Sequence, residues 1–112
     1  MKTITLIEST SAAVDRDSAA YDLGDLLSGS IEVDFTGTDI VGTLTLECRN
    51  TTAAAWKTVA SSSQAITASA DHIWVLTGSA GYRYVRVHWD WTSGAGSITS
   101  TLVAKETRVT GV

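Results

Sequence analysis

The sequence has 112 residues, of which 44% are hydrophobic and 18% are charged, and its formal net charge is −4. This length accommodates one domain with one core, and the apolar content excludes an intrinsically disordered chain. No apolar run approaches the length of a membrane-spanning helix, and the basic residues form no cluster, so we expect neither a membrane nor a nucleic acid as a partner.

The N-terminal part of the chain predicts short extended elements separated by polar segments. Thr3–Glu8 alternates between apolar and polar residues and predicts a first strand. Residues 9–20 are small and polar, which predicts a loop or an extended arm. Tyr21–Gly24 predicts a short strand or corner, and Asp25–Gly29 predicts a turn.

The most regular alternation follows, in Ser30–Thr36 and Gly42–Arg49. Both segments place apolar side chains on one face and Thr, Asp or Glu on the other, which is typical of half-buried strands. Cys48 shares a face with Leu44 and Leu46 and is the single cysteine of the chain. Cys48 therefore cannot form an intramolecular disulfide, and we expect its side chain to act as a small buried hydrophobic group.

The middle of the chain predicts three further strands. Ala55–Ala60 carries Trp56, and Gln64–Ala68 is a weaker strand, each followed by a break. His72–Thr77 is apolar on both faces. This predicts a strand that is covered on both sides or lies in an interface.

Gly81–Lys105 predicts the longest elements, two strands joined at Ser93–Gly96 into a hairpin. The face with Val85, Val87 and Trp89 is the predicted core side of the first strand. The predicted turn between His72–Thr77 and this hairpin is 78–81.

The whole pattern predicts an all-β chain. We count eight or nine short strands at spacings of roughly 8–12 residues, and no segment has helical periodicity over more than about one turn. We therefore predict a single antiparallel β-sandwich of the jelly-roll type spanning residues 1–112.

Several segments resemble the small β-sandwich structural proteins of tailed bacteriophages and prophages. The resemblance follows the order of Tyr21–Gly24, Ile31–Gly37, Gly42–Asn50, Trp56–Val59 and Gly81–Val87. It implies a virion component such as a capsid decoration, head-fibre, tail-fibre or baseplate protein. The turn that often carries Asp or Gly before the tryptophan lacks both here, which puts a binding role of that turn in doubt.

The resemblance implies capsid or tail proteins as partners, and a location in the virion after synthesis in the host cytoplasm. Self-association is expected as well, because the chain has no proline and few lysines to block its strand edges. We expect a homo-oligomer, with a trimer favoured because virion appendages are commonly threefold.

No arrangement of residues predicts catalysis, a cofactor or a metal. His88, Asp90 and Ser93 are close in sequence, but no nucleophile motif or oxyanion site accompanies them. His72 and His88 lie on separate strands without metal-ligand spacing. We therefore expect a protein that is not an enzyme.

Aromatic side chains are the candidate contact residues. Such rings with nearby arginine are common both in protein interfaces and in sugar sites, while burial in the core is the plainer alternative for Trp74, Tyr82 and Tyr84. The alternative function is a carbohydrate-binding adsorption module that contacts host surface glycans. The candidate interface or glycan contacts are Trp56, Trp74, Tyr82, Tyr84, Arg86 and Trp91.

Charge is divided unevenly along the chain. Residues 1–48 hold nine acidic side chains against Lys2 and Arg16, whereas residues 49–112 hold six basic side chains against three acidic ones. This division could help copies or partners to dock through complementary faces, or it could have no functional meaning.

Overall fold

A computed structural model describes residues 2–24, 26–77 and 82–106, without the side chains of residues 26, 27, 77 and 106. In these ranges the chain forms ten strands, no helix, and therefore no helix that could cross a membrane. The strands are β1 (Lys2–Ser11), β2 (Arg16–Asp17), β3 (Tyr21–Asp22), β4 (Leu26–Thr36), β5 (Val41–Arg49), β6 (Lys57–Thr58), β7 (Gln64–Ile66), β8 (His72–Thr77), β9 (Tyr84–Ser93) and β10 (Ser97–Glu106).

The strands form two antiparallel sheets. Sheet 1 has the order β1-β10-β4-β8. In sheet 2, β9 and β5 are central, the short β2 and β3 both pair with β9, and the short β6 and β7 both pair with β5. The all-β antiparallel sandwich is confirmed.

The strand order is that of a jelly roll. If β2 with β3, and β6 with β7, each count as one interrupted strand, there are eight strand positions. The first position then pairs with the eighth, the second with the seventh, the third with the sixth and the fourth with the fifth. This is the arrangement of a long hairpin rolled into two sheets.

The predicted hairpin of β9 and β10 is wrong. These strands lie in different sheets, and residues 94–96 carry the chain across the sandwich from one sheet to the other. Alternation gives the inward face of each strand. It does not distinguish a hairpin turn from a connection between sheets, because both need a short glycine-containing segment.

Two such connections pack against each other at one end of the sandwich. The first links β4 to β5 through Gly37, and the second links β9 to β10 through Gly94, with φ values of 104° and 89°. The backbone N–H of Ala95 donates to Asp39 Oδ1 at 3.3 Å. A side chain at Gly94 would collide with the Asp39 backbone, so the two connections can be this close only with glycine.

Trp89 lies at the centre of the core. Its ring is fully buried, its centroid is 4.8 Å from that of Phe35 in the opposite sheet, and its Nε1–H donates to the Ala12 carbonyl at 2.8 Å. The predicted core face of β9 is thus confirmed. The buried hydrophobic residues are Leu6, Ile7, Ala12, Leu23, Ile31, Val33, Phe35, Ile40, Leu44, Leu46, Ile66, Leu76, Val85, Val87, Trp89, Ile98, Leu102 and Ala104.

Element boundaries differ from the predictions in two places. β4 begins at Leu26, so most of the predicted turn Asp25–Gly29 is strand, paired with β10 and β8. The predicted strand Ala55–Ala60 is reduced to β6, and Trp56 precedes it. The predicted turn 78–81 lies outside the described residues.

The segment of residues 9–20 is partly paired. Its first three residues complete β1, and β2 adds Arg16 and Asp17 to the edge of β9. The Ser18 hydroxyl accepts the N–H of Val87 at 2.8 Å, which fastens the segment to sheet 2. Cys48, near the end of β5, is half-buried and not fully buried as expected.

Candidate functional site

The outer face of sheet 2 gathers most of the charged side chains of the central strands. The β5–β9 register sets Glu47 opposite Arg86 and Thr45 opposite His88. On the other side of β9, Asp17 of β2 lies opposite His88. Since side chains alternate along a strand, Asp17, Glu47, Arg86 and His88 all emerge on the same outer face.

These four residues form an ion-pair network centred on Arg86. Its Nη2 lies 2.7 Å from Glu47 Oε1 and 3.7 Å from Asp17 Oδ2, and its Nε–H also donates to Glu47 Oε1 at 2.7 Å. His88 Nδ1 is 2.5 Å from Asp17 Oδ1. We call Asp17, Glu47, Arg86 and His88 the Arg86 network. It ties β2, β9 and β5 together across the face.

Trp56 lies against this network. The guanidinium carbon of Arg86 is 4.4 Å from the centre of a Trp56 ring, and that of Arg49 is 4.2 Å away. Arg49 Nη1 also donates to the Ala54 carbonyl at 3.4 Å. Two cation–π contacts therefore fix the segment that precedes β6 onto the outer face of sheet 2.

The Arg86 network contains a set of potential metal ligands. One ligand atom each from Asp17, Glu47 and His88 lies within 4.8 Å of the others. The Arg86 guanidinium, however, already supplies positive charge to both carboxylates, and a divalent cation would have to displace it. These residues do not form a site prepared for a metal ion.

The sequence reasoning missed Asp17, Glu47 and Arg49 as partners of Arg86. Their outward positions are visible in the alternation, but their proximity depends on the register between β2, β9 and β5, which are distant in sequence. The histidines considered together, His72 and His88, lie on different sheets.

Tyr84 continues the same outer face at the start of β9. The Arg83 guanidinium carbon is 5.5 Å from its ring centre, and Arg83 Nη2 is 3.0 Å from Asp22 Oδ2. The hydrogen bond from Arg83 holds the pKa of Asp22 below its usual value. Tyr84, Trp56 and Arg86 are thus the candidate contact residues that the fold places on one surface.

Trp74 and Tyr82 lie elsewhere and pack against the core. Trp74 points inward from β8, and its Nε1–H donates to the Ser62 carbonyl at 3.1 Å. Burial raises the pKa of the Tyr82 hydroxyl. Tyr82 precedes β9, which begins at Tyr84.

Trp91 lies near the far end of β9 with 37% of its surface exposed. Its backbone N–H donates to Asp15 Oδ1 at 2.9 Å, and its Nε1–H donates to the Gly94 carbonyl at 3.0 Å. The ring is held in place but accessible. The six candidate contact residues therefore do not form one continuous surface.

A second surface belongs to sheet 1 and is apolar. On β8, Ile73 is 54% exposed and Val75 is 78% exposed, and β8 is the edge strand beside β4. Val103 of β10 is half-buried in the same row as Val75, with Ser30 between them. The prediction that β8 is covered on both sides is wrong for the described residues. The alternative, that β8 lies in an interface, remains a prediction.

Acidic side chains lie at one end of this apolar surface. Burial, together with the charges of Glu32 and Asp71, raises the pKa of Asp34. Asp71 Oδ1 accepts the backbone N–H of Phe35 at 2.9 Å, just before β8 begins. The opposite end of β8 lies in the row of Lys105 and Ser28. The surface thus has an acidic end and a basic end.

Comparison with known proteins shows a similarity of fold. No protein-family model matches the sequence, and no curated protein matches it. The SPBc2 prophage-derived protein YomS has a similar structure, with a TM-score of 0.58, 13% identity, and coverage of 92% of each chain. A chain in the structure of infectious bursal disease virus Gx strain matches with a TM-score of 0.48 and 18% identity, over 90% of this chain and 31% of that chain. The fold of this chain is thus similar to that of a prophage-derived protein along almost its entire length.

Proposed function

We propose that this chain is a non-enzymatic structural protein of a tailed-bacteriophage or prophage virion. It would be made in the host cytoplasm, attach to the capsid surface or the tail, and act through self-assembly and contacts with other virion proteins. The observation that carries the proposal is the fold shared with a prophage-derived protein over 92% of both chains. Jelly rolls recur in viral capsid proteins, which agrees with this assignment.

The chemistry of the two surfaces supports a role in binding and assembly. On sheet 2, the charged groups of the Arg86 network pair with one another, which favours a rigid face over a reactive one. On sheet 1, Ile73 and Val75 present apolar surface to solvent at a strand edge. Exposed apolar side chains at an edge suit a protein that is completed by a partner.

The proposal is tested by locating the protein in particles. Phage particles from a lysate of cells that carry the gene would be purified on a density gradient. They would then be labelled with gold-conjugated antibodies against the chain. We expect gold on the head or the tail. Quantitative mass spectrometry then gives the copy number, where hundreds of copies per particle indicate capsid decoration and a handful indicate the tail.

The control is an antibody against a host cytoplasmic protein, which must not label the particles. If the chain stays in the particle-free fractions and no gold is found on particles, it is not a virion component and the proposal is wrong.

A second proposal is a carbohydrate-binding adsorption module, and the observation that favours it is the accessible ring of Trp91. Trp56 is a weaker candidate because two guanidinium groups already lie over its ring. We would titrate the protein with host cell-wall polysaccharide and follow tryptophan fluorescence. A shift that is lost in Trp91→Ala and kept in Trp56→Phe would support glycan binding, whereas no shift in the parent protein would exclude it for that polysaccharide.

A further inference from the structure

The edge of sheet 1 at β8 is open for strand pairing. All six residues of β8 pair with β4 without a register shift, from His72 opposite Val33 to Thr77 opposite Ser28. No strand within the described ranges pairs with the other edge of β8. The edge therefore presents regular backbone donors and acceptors, next to the exposed side chains of Ile73 and Val75.

β8 also lacks the features that normally protect a strand edge. It contains no proline, lysine or acidic residue, and its pairing with β4 has no bulge. Burial lowers the pKa of His72, so the strand is uncharged at neutral pH. A straight, uncharged edge of this kind is a template for a further strand.

The other edges of the sandwich are less suitable. At the opposite edge of sheet 1, β1 has two register shifts and begins with Lys2, and its Leu6 carbonyl already accepts the N–H of Ala19. The edges of sheet 2 consist of strands with only two or three residues, which are β2, β3, β6 and β7. Among the described strands, β8 is therefore the favourable edge for association.

We propose that two copies of this chain associate through β8, with the two strands antiparallel about a twofold axis near Trp74. The two four-stranded sheets then form one continuous eight-stranded sheet. This inference rests on the proposed self-assembly and names its partner, a second copy of the chain. Twofold pairing follows because β8 is the one favourable edge among the described strands, and a threefold ring would need a second, complementary edge.

The side chains of β8 complement themselves in this arrangement. With the axis near Trp74, Ile73 of one copy lies opposite Val75 of the other, so that both exposed apolar residues gain an apolar cross-strand neighbour. The row of Val103, Ser30 and Val75 then continues into the partner. The sides of Ile73 and Val75 that face the open edge are thereby buried against each other, while their outward surfaces remain on the outer face of the joined sheet.

Charge favours the antiparallel orientation. The acidic group of Glu32, Asp34 and Asp71 lies at the His72 end of β8, while Lys105 lies in the row of Thr77 at the other end. Antiparallel pairing places the acidic end of each copy beside the Lys105 end of its partner. Parallel pairing would place the two acidic groups side by side, which costs free energy.

The test is the mass of the purified protein in solution. We expect sedimentation equilibrium to give a concentration-dependent dimer, with micromolar association because the interface is small. Val75→Lys adds a charge to the open edge and should leave the protein monomeric. The matched control is Val14→Lys, which makes the same change at an exposed valine outside the sheets and should leave the dimer unchanged.

A crosslink tests the register and does not depend on the folding of the lysine variant. In a Cys48→Ser background, the double variant Ile73→Cys and Val75→Cys should form disulfide-linked dimers on mild oxidation, whereas Val14→Cys in the same background should not. A monomeric parent protein at high concentration, a trimer, or a Val75→Lys variant that associates like the parent would each overturn the inference. Gold labelling of particles does not depend on oligomeric state, so this inference and the virion assignment can fail separately.

Discussion

At Gly94 the two crossing connections are in close contact. Its φ of 89° is in the region that favours glycine, and the space beside its Cα is occupied by the backbone of Asp39. Gly94→Ala should therefore lower the free energy of unfolding by about 1–3 kcal/mol, through backbone strain and the displaced neighbour. Urea denaturation followed by circular dichroism measures the loss.

The control for this substitution is the neighbouring residue in the same connection. Ala95 is exposed, so Ala95→Ser should leave the midpoint of unfolding unchanged. If Gly94→Ala is as stable as the parent protein, the close packing of the two connections is not required for the fold.

Asp34 is a residue whose charge opposes folding. Its pKa is raised above the ordinary value of 3.8 by burial and by the charges of Glu32 and Asp71. The resulting penalty on the fold grows as the pH rises from about 3.8 through the folded-state pKa, and it is absent well below pH 3.8, where both states are protonated. Asp34→Asn should raise the free energy of unfolding at pH 7 by a few tenths of a kcal/mol, with no gain at acidic pH.

The measurement is urea unfolding of the parent protein and the variant at pH 7 and at about pH 2.5, which lies well below the ordinary pKa of 3.8. Asp90→Asn, an exposed position on β9, is the control for a change of one charge. An equal gain at both pH values would contradict the explanation, because it would not depend on ionisation of Asp34.

At the residue scale, alternation predicts burial but not partners. Val85, Val87 and Trp89 are correctly predicted as core because they share one face of a strand. The pairing of Arg86 with Asp17 and Glu47 is not predictable in this way, because it depends on the registers of strands whose paired residues are 69 and 39 positions apart.

Among the elements, the segment before β6 depends on Trp56 for its attachment. Each cation–π contact at a partly exposed site contributes about 0.5–1 kcal/mol, so Trp56→Ala should lower the free energy of unfolding by about 1–2 kcal/mol. Trp56→Phe keeps a ring against Arg49 and Arg86 and should retain part of the stability. Circular dichroism is the appropriate signal, since both variants alter the fluorescence.

Losses that are equal in the alanine and phenylalanine variants would show that shape alone, and not the aromatic face, stabilises the segment. An alanine variant as stable as the parent would show that the segment is held by its backbone contacts.

Elements with strong period-2 alternation are predicted well, and their connections are not. β4 and β5 are found where Ser30–Thr36 and Gly42–Arg49 predict them. The partner of β9 is β5 and not β10, since a strand's alternation carries no information about which edge it joins. The short strand β2 escapes prediction because two residues show no period.

For the whole molecule, the pairing of β1 with β10 brings distant parts of the chain together. Lys2 lies opposite Ala104, on adjacent strands. A circular permutant that joins residue 112 to residue 1 through a short Gly-Ser linker, and opens the chain between Thr52 and Ala53, should therefore fold. We expect its melting temperature to be within about 5 °C of the parent, because both new ends lie in an exposed loop.

The contrasting permutant opens the chain between Ala95 and Gly96, within the connection that joins the two sheets. It should lose far more stability or fail to fold, as judged by near-ultraviolet circular dichroism. If both permutants fold equally well, the crossing connection does not hold the sheets together.

The position of β10 has a consequence for synthesis in the cell. β10 lies between β1 and β4, so sheet 1 has a gap at its centre until residue 106 has left the ribosome. At about 5–20 residues per second, β1 must wait on the order of ten seconds for its partner. During that interval the nascent chain exposes the edges of β1 and β4 that β10 later pairs with. Other nascent chains on the same messenger are close by while these edges are unpaired. Sheet 1 thus becomes continuous only when β10, the last of the described strands, has been made.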